Sequence, residues 1–321
     1  MLVTAAILCA TFSATPDLAA LTDACQQQIA SYRNLRFELD VKATFFAAPI
    51  AILDAQGEIA GSKASDDPPL NVAGKETFEI VQPKQADQLA WRRWERFEAG
   101  SGRLLKFYAA GERKSATYQA PPEVGPNADL GTGQLLPFTD NMQFSENVFD
   151  RFLSCNLQGI AQYDDQDWSL SPQVPIVWEA PQATKFLDRD AYLLRGVNRN
   201  LNVQLETIVL APPQSLVVKR VFKMVDAEAP LETWEVTKLG QHGDLIYPAA
   251  GQMHQAQLEF QRRVDYEFSV VKVADLQPTD RLRAAWYPAW PLGTAISDRV
   301  HQVQFEIPVP ENPALPRVKE D

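Results

Sequence analysis

Histidines, clustered acids, arginines set among aromatics, and cysteines are the side chains here whose spacing could support chemistry. His242, His254 and His301 are the three histidines of the 321 residues, and no two have the i, i+4 spacing of a zinc-binding helix. Asp164, Asp165 and Asp167 cluster in YDDQDW, but the ligand spacing and closing glutamate of a calcium loop are missing, so a solvated loop is expected. GTGQLLP (131–137) has glycines but no lysine, and it neither follows a clear strand nor opens a helix, so it is no phosphate loop. No nucleophile elbow is present. WRRWERF (91–97) interleaves aromatics with Arg92, Arg93 and Arg96. In a chain of net charge −11 these arginines are expected to pair with neighbouring acids, because nucleic-acid affinity comes chiefly from unpaired Lys and Arg on phosphates. No nucleic-acid partner, metal, cofactor or enzymatic activity is therefore expected.

Cys9, Cys25 and Cys155 complete the inventory. Residues 1–14, MLVTAAILCATFSA, read as the apolar core of an export signal followed by small residues, which predicts a periplasmic or secreted protein. Loss of Cys9 with that signal leaves Cys25 and Cys155, an even pair compatible either with one disulfide or with two buried thiols. No apolar run reaches the roughly 18 to 20 residues that a spanning helix requires.

The elements that must position these residues begin with an abrupt change of period. Leu18, Leu21, Cys25, Ile29 and Tyr32 recur every three or four residues and predict a helix. Leu35, Phe37, Leu39, Val41, Ala43 and Phe45 then alternate with polar residues and predict a long strand with one apolar face. Further strands are predicted over 76–82 and 89–99, with a hairpin over 101–119 turning at Ala110-Gly111. The stretches 47–75 and 120–138, rich in Gly, Ser, Asp and Pro, read as loop insertions. Between them and the later strands, Ser145 suits an N-cap, Phe144 and Phe149 a hydrophobic staple, and Gly159 a stop. Phe149, Phe152, Leu153 and Leu157 form the apolar stripe of that second helix. From about 190 onward, strands follow one another at short spacing up to the long HQAQLEFQRRVDYEFSVVKVADL, a bent or doubled strand. The fold class is mainly β: an unclosed antiparallel barrel with a few short helices covering its concave face.

Taken in order, several stretches resemble the periplasmic lipoprotein-carrier family (LolA/LolB-like). They are the signal, the helix ending IASYRNL with the strand RFELDVKATF, the segment FEIVQPKQADQLAWRRW, LETWEVTKLGQHGDLIYPAAG, and WPLGTAISD with Pro291, Gly293 and Asp298. The resemblance spans most of 15–306 and implies one half-barrel domain there, followed by a polar tail over 307–321. It implies a monomer that carries lipid or lipoprotein acyl chains, in effect a chaperone for their transport. The chain departs from the family in being longer, and in placing Pro83 and Lys84 where carriers have an arginine that helps hold the lid helices shut. A sensor or scaffold that binds an envelope protein through the same fold is the alternative.

In such a fold the wide concave face cannot fill itself as a small barrel does, and exposed it invites aggregation. The two helices are expected to cover it. The residues expected to line it are Leu21, Cys25, Ile29, Phe37, Leu39, Val41, Trp94, Phe149 and Phe152. A Cys25–Cys155 bridge would tie the two covers together.

Overall fold

A computed structural model of the protein describes residues 16–47, 50–53, 59–63, 65, 67–81, 91–111, 114–120, 131–137, 148–155, 157, 176–199, 202–227, 229–257, 262–276, 290–291, 293–299 and 301–307. The chain opens with helix α1 (Leu18–Ser31), followed by β1 (Leu35–Phe45), β2 (Ile50–Leu53), β3 (Ile59–Lys63), β4 (Leu70–Val81) and β5 (Trp91–Glu98). Next come β6 (Leu104–Gly111), β7 (Lys114–Gln119), β8 (Thr132–Pro137) and the second helix, α2 (Val148–Ser154). The remaining strands are β9 (Val177–Trp178), β10 (Gln182–Phe186), β11 (Arg189–Asn198), β12 (Val203–Leu210), β13 (Val217–Met224), β14 (Glu232–His242), β15 (Leu245–Gln257), β16 (Arg262–Asp275), β17 (Ala295–Asp298) and β18 (Val303–Glu306).

Sixteen of these strands make one sheet in the order β10-β11-β12-β13-β14-β15-β16-β1-β4-β5-β6-β7-β8-β17-β18, with β9 beside β11. Its two ends, β10 and β18, do not pair, so the sheet is an open half-barrel rather than a closed one. All pairings are antiparallel except β8 with β17. The strand read from the sequence as the first of the fold is central: β1 pairs β16 on one side, with Val41 opposite Phe268, and β4 on the other, with Phe37 opposite Phe78. The long segment 254–276 is the doubled alternative, the end of β15 returning as β16.

Two stretches read as loops contain strand. Within 47–75, β2 and β3 form a separate two-stranded sheet, and residues 70–75 begin β4, paired along β1 from Leu70 opposite Phe45 to Lys75 opposite Asp40. That half of β4 is exposed on both faces except at Gly74, which is half-buried, so the alternation that marks a strand is missing from its sequence. Within 120–138, residues 132–137 form β8. Its Gly133 is a packing position: a Cβ there would collide with the Ile296 side chain and lie 3.3 Å from Trp290 Nε1. The expected signal (1–14), the acidic cluster 163–168, and the Ser145 and Gly159 caps lie outside the described residues.

Register partners share a face of the sheet, and tracing them across the strands reveals two cores on opposite faces. On the helix-covered face, Phe37, Leu39, Val41, Phe78, Trp94, Trp234, Met253 and Phe268 are buried against α1 and α2. Toward β18 the buried side reverses. The row Glu95, Phe107, Tyr118, Gly133, Ile296 follows the register onto the other face, where Phe107, Ala109, Ala116, Tyr118 and Ile296 pack with Trp290. The changeover falls at β4 and β5, and there polar side chains occupy both faces. Glu76 accepts from Trp94 Nε1 (2.9 Å) and Arg96 Nε (2.8 Å) on one side. On the other, Thr77 donates to Glu95 (3.0 Å), Arg93 pairs with Glu95, and Arg36 reaches Glu79 (3.5 Å).

Candidate functional site

Helix α1 starts where Asp17 caps it, its carboxylate accepting from Ala20 N at 2.8 Å. Its other end is fixed to the sheet: Tyr32 Oη donates to the Ile246 carbonyl at 2.7 Å, and Gln28 Nε2 donates to the same oxygen at 3.0 Å. Burial pushes the Tyr32 phenol well above its ordinary range, so it stays a neutral donor. Between these ends Leu21 and Cys25 face the sheet.

Helix α2 has seven residues, too few to be stable in water alone. Tertiary contacts therefore hold it, and they are of two kinds. Phe149 meets Phe37, Phe78 and Phe268 edge-on, with centroids 5.1, 5.9 and 5.2 Å away. Phe152 lies 4.7 Å from Trp234 and 4.8 Å from Phe268. Its seat is Gly251, where a Cβ would come within 2.8 Å of the Phe152 ring and 2.6 Å of Phe268. Ion pairs bracket these rings. Arg92 of β5 donates to both oxygens of Asp150 at 2.8 and 2.9 Å, and Arg151 donates to Glu232 of β14 at 3.0 Å.

The Arg151–Glu232 pair belongs to a polar pocket inside an apolar cluster. Burial raises the Glu232 carboxyl above the usual carboxylate range, and Arg151 opposes that rise. Arg220, buried on β13, donates to Thr207 Oγ1 at 3.3 Å. Its charge also acts on both cysteines, lowering thiols that burial has raised.

The structure brings Leu21, Cys25, Phe37, Leu39, Val41, Trp94, Phe149 and Phe152 into one buried cluster, with Cys155 packed against it. Ile29 is half-buried and lies outside that cluster. Phe149 and Phe152, like Leu21 and Cys25, come from a covering helix and fill the face from above, whereas Phe37, Leu39, Val41 and Trp94 form its floor. Cys25 and Cys155 are not bridged. Asp150, Arg151, Glu232, Arg220 and Gly251 escaped the sequence reading. Asp150 and Arg151 find their partners 58 and 81 residues away, a distance no local pattern spans. Each histidine meets one aspartate, His242 with Asp275, His254 with Asp265 and His301 with Asp298. Among the described residues no group of three or more His, Cys, Asp or Glu is placed to hold a metal ion. No described helix is long and apolar enough to cross a membrane.

No family model matches the sequence, and no curated protein matches it. Several solved structures are similar to this chain. A DUF1329 family protein from Desulfovibrio piger, 8% identical, aligns over 85% of this chain and 98% of its own with a TM-score of 0.41. A LolA superfamily protein from Nitrosomonas europaea, 13% identical, aligns over 80% of this chain and 93% of its own with a TM-score of 0.37. The MucA/MucB complex of Pseudomonas aeruginosa includes a chain 7% identical, matched over 80% of this one and 99% of its own, with a TM-score of 0.24.

Proposed function

We propose that this is an exported binding protein without enzymatic chemistry, which holds a lipid, an acyl chain or the acyl chains of a lipoprotein on the face covered by α1 and α2. The observation that carries the reading is the construction of α2. A seven-residue helix, too short to stand alone, packs two aromatic rings onto an apolar floor and is tied to the sheet by an ion pair on each flank. Such an element is removable. Burying Phe149, Phe152, Leu153 and Leu157 contributes about 6–12 kcal/mol, at roughly 1.5–3 kcal/mol for each large apolar side chain. An acyl chain gains about 0.8 kcal/mol per buried CH₂, so around a dozen carbons match the plug they displace. The lipoprotein-carrier resemblance of the sequence supports the same ligand class.

Native mass spectrometry after gentle purification tests this. The expected result is an amphiphile bound in a defined stoichiometry, released when the protein unfolds. A protein that purifies empty and takes up no acyl chain from vesicles refutes the reading.

A second reading, a scaffold or sensor for an envelope protein, is favoured by one observation. Among the described strands β18 ends the sheet, and its Val303 and Phe305 are exposed. An unpaired edge with apolar side chains is a template for a strand from another chain. Crosslinks from 303–306 to one envelope protein, formed by the empty protein, would support it.

A further inference from the structure

The face beneath α1 and α2 does not end with its apolar floor. One register row runs through Phe78, Trp94, Tyr108, Thr117, Gln134 and Ser297, on β4 to β8 and β17, so all six side chains lie on that face. Phe78 and Trp94 are buried in the cluster that the helices cover, and Tyr108 packs against it. Beyond Tyr108 the row turns to hydroxyls and an amide. Thr117, Gln134 and Ser297 are half-buried, and among the described residues none of these three side chains has a hydrogen-bond partner. With neighbouring strands about 4.8 Å apart, Tyr108 to Ser297 spans about 14 Å. On the opposite arm the face is closed: Leu194, Thr207 and Arg220, which lead in register to Trp234, are all buried.

We propose that Thr117, Gln134 and Ser297 seat the head of the bound amphiphile, an uncharged group rich in hydroxyls (glycosyl or glycerol), while its acyl chain takes the floor beneath α2. This names the ligand class for the binding role proposed above and rests on that role. A hydroxyl or a primary amide both donates and accepts, as does each hydroxyl of a polyol, so the row and such a head satisfy one another pair by pair. An anionic head finds less. Arg92 and Arg96 of β5 are already paired with Asp150 and Glu76, and Lys106, opposite Arg96, is engaged too. The position suits the chain as well. One flank of α2 is held by Arg92 on β5, which adjoins β6, and the other is held on β14. A chain lying where α2 lay therefore meets the polar row at its Arg92 end.

Isothermal titration of the full chain with four amphiphiles of equal chain length, each below its micelle concentration, tests this. Dodecyl maltoside or monododecanoylglycerol should bind roughly tenfold or more tighter than dodecanoate or dodecyl phosphate, as two or three net hydrogen bonds give. Which of the two leads tells a glycosyl head from a glycerol head. The combined variant Thr117→Val, Gln134→Leu, Ser297→Ala should erase that preference and keep its affinity for dodecanoate. Should the combined variant fail to fold, Thr117→Val and Ser297→Ala, the two mildest changes, should each lose part of the preference. A charged head bound as tightly as the hydroxylated ones overturns the proposal, and so does a preference that survives the substitutions. Either result, with dodecanoate bound, leaves the lipid-binding role standing, whereas a protein that binds none of the four loses both.

Discussion

Asp150 and Arg151 are adjacent in sequence, yet their side chains bind opposite arms of the sheet. Asp150 is held by Arg92 on β5 and Arg151 holds Glu232 on β14, with β4, β1, β16 and β15 lying between. One turn of helix therefore straps the curved sheet at two points and sets Phe149 and Phe152 between the straps. Strap and plug thus share one short segment, in which Asp150 and Arg151 make the ion pairs and Phe149, Phe152 and Leu153 fill the face between them.

The two straps differ in worth. Glu232 is buried, its side chain 3% exposed, and Arg151 is 10% exposed, whereas Arg92 is 28% exposed. Arg151→Ala leaves a buried carboxylate without its counter-ion and is expected to cost about 3–5 kcal/mol. Arg92→Ala removes a partly exposed partner from Asp150, whose own side chain is 8% exposed, and is expected to cost about 2–3 kcal/mol. Urea unfolding of the two variants checks the order; equal costs would mean that the straps are not arranged as described.

Glu232 also sets a pH dependence. Its folded-state value lies above its ordinary 4.5 because of burial, with Arg151 in partial opposition. Between these two values the folded state binds more protons than the unfolded state, so this group's contribution to stability is largest at the acid end and falls as pH rises through the window. Above the folded value that contribution is gone. Relative to Glu232→Gln, the natural protein is expected to gain stability as pH drops from neutral toward 4.5, measured as the difference in urea midpoints. A difference that stays flat would show that Glu232 titrates normally.

The central strands were legible in the sequence because they are buried on one face only. Leu35 to Phe45 alternates cleanly, and the structure places its apolar side under the helices. Thr132–Pro137 and Leu70–Lys75 were illegible for opposite reasons. The first carries a glycine because neighbouring side chains lie over its backbone, and the second is exposed on nearly all of both faces. The reversal of the buried side was also hidden. Neither WRRWERFE of β5 nor LLKFYAAG of β6 alternates regularly, and only the register of β5 with β6 shows that Trp94 and Phe107 face opposite ways. Of the site, the apolar floor was readable from period alone, while its straps depended on contacts between distant segments.

The reversal predicts independence. Trp290 closes the core on the face away from α2, beside Ile296 and Phe107. Trp290→Ala is expected to cost about 3–5 kcal/mol, and its effect should add to that of Phe152→Ala within about 0.5 kcal/mol, because the two side chains share no partners. A double-mutant cycle by urea unfolding measures this. A coupling of several times that size would mean that the two faces form one continuous core.

Phe152→Ala separates a removable plug from an ordinary core residue. In either case a buried ring is lost, and about 3–5 kcal/mol of stability with it. The cases diverge in what the vacated space accepts. If α2 stands in for a ligand, the variant has less to displace, and its affinity for a long fatty acid should rise by about tenfold or more, since removing a competing burial of 1.5–3 kcal/mol corresponds to about that factor. Affinity across a series of fatty acids should then climb with chain length, by up to about 0.8 kcal/mol per CH₂, until the floor over Phe37, Phe78, Trp94 and Phe268 is covered. If Phe152 is only core, its removal leaves a closed hole of one ring, which admits a benzene-sized molecule and rejects anything longer. Titration calorimetry with benzene and with fatty acids of increasing length distinguishes the two, and a preference for benzene alone would defeat the lipid-binding reading of this face.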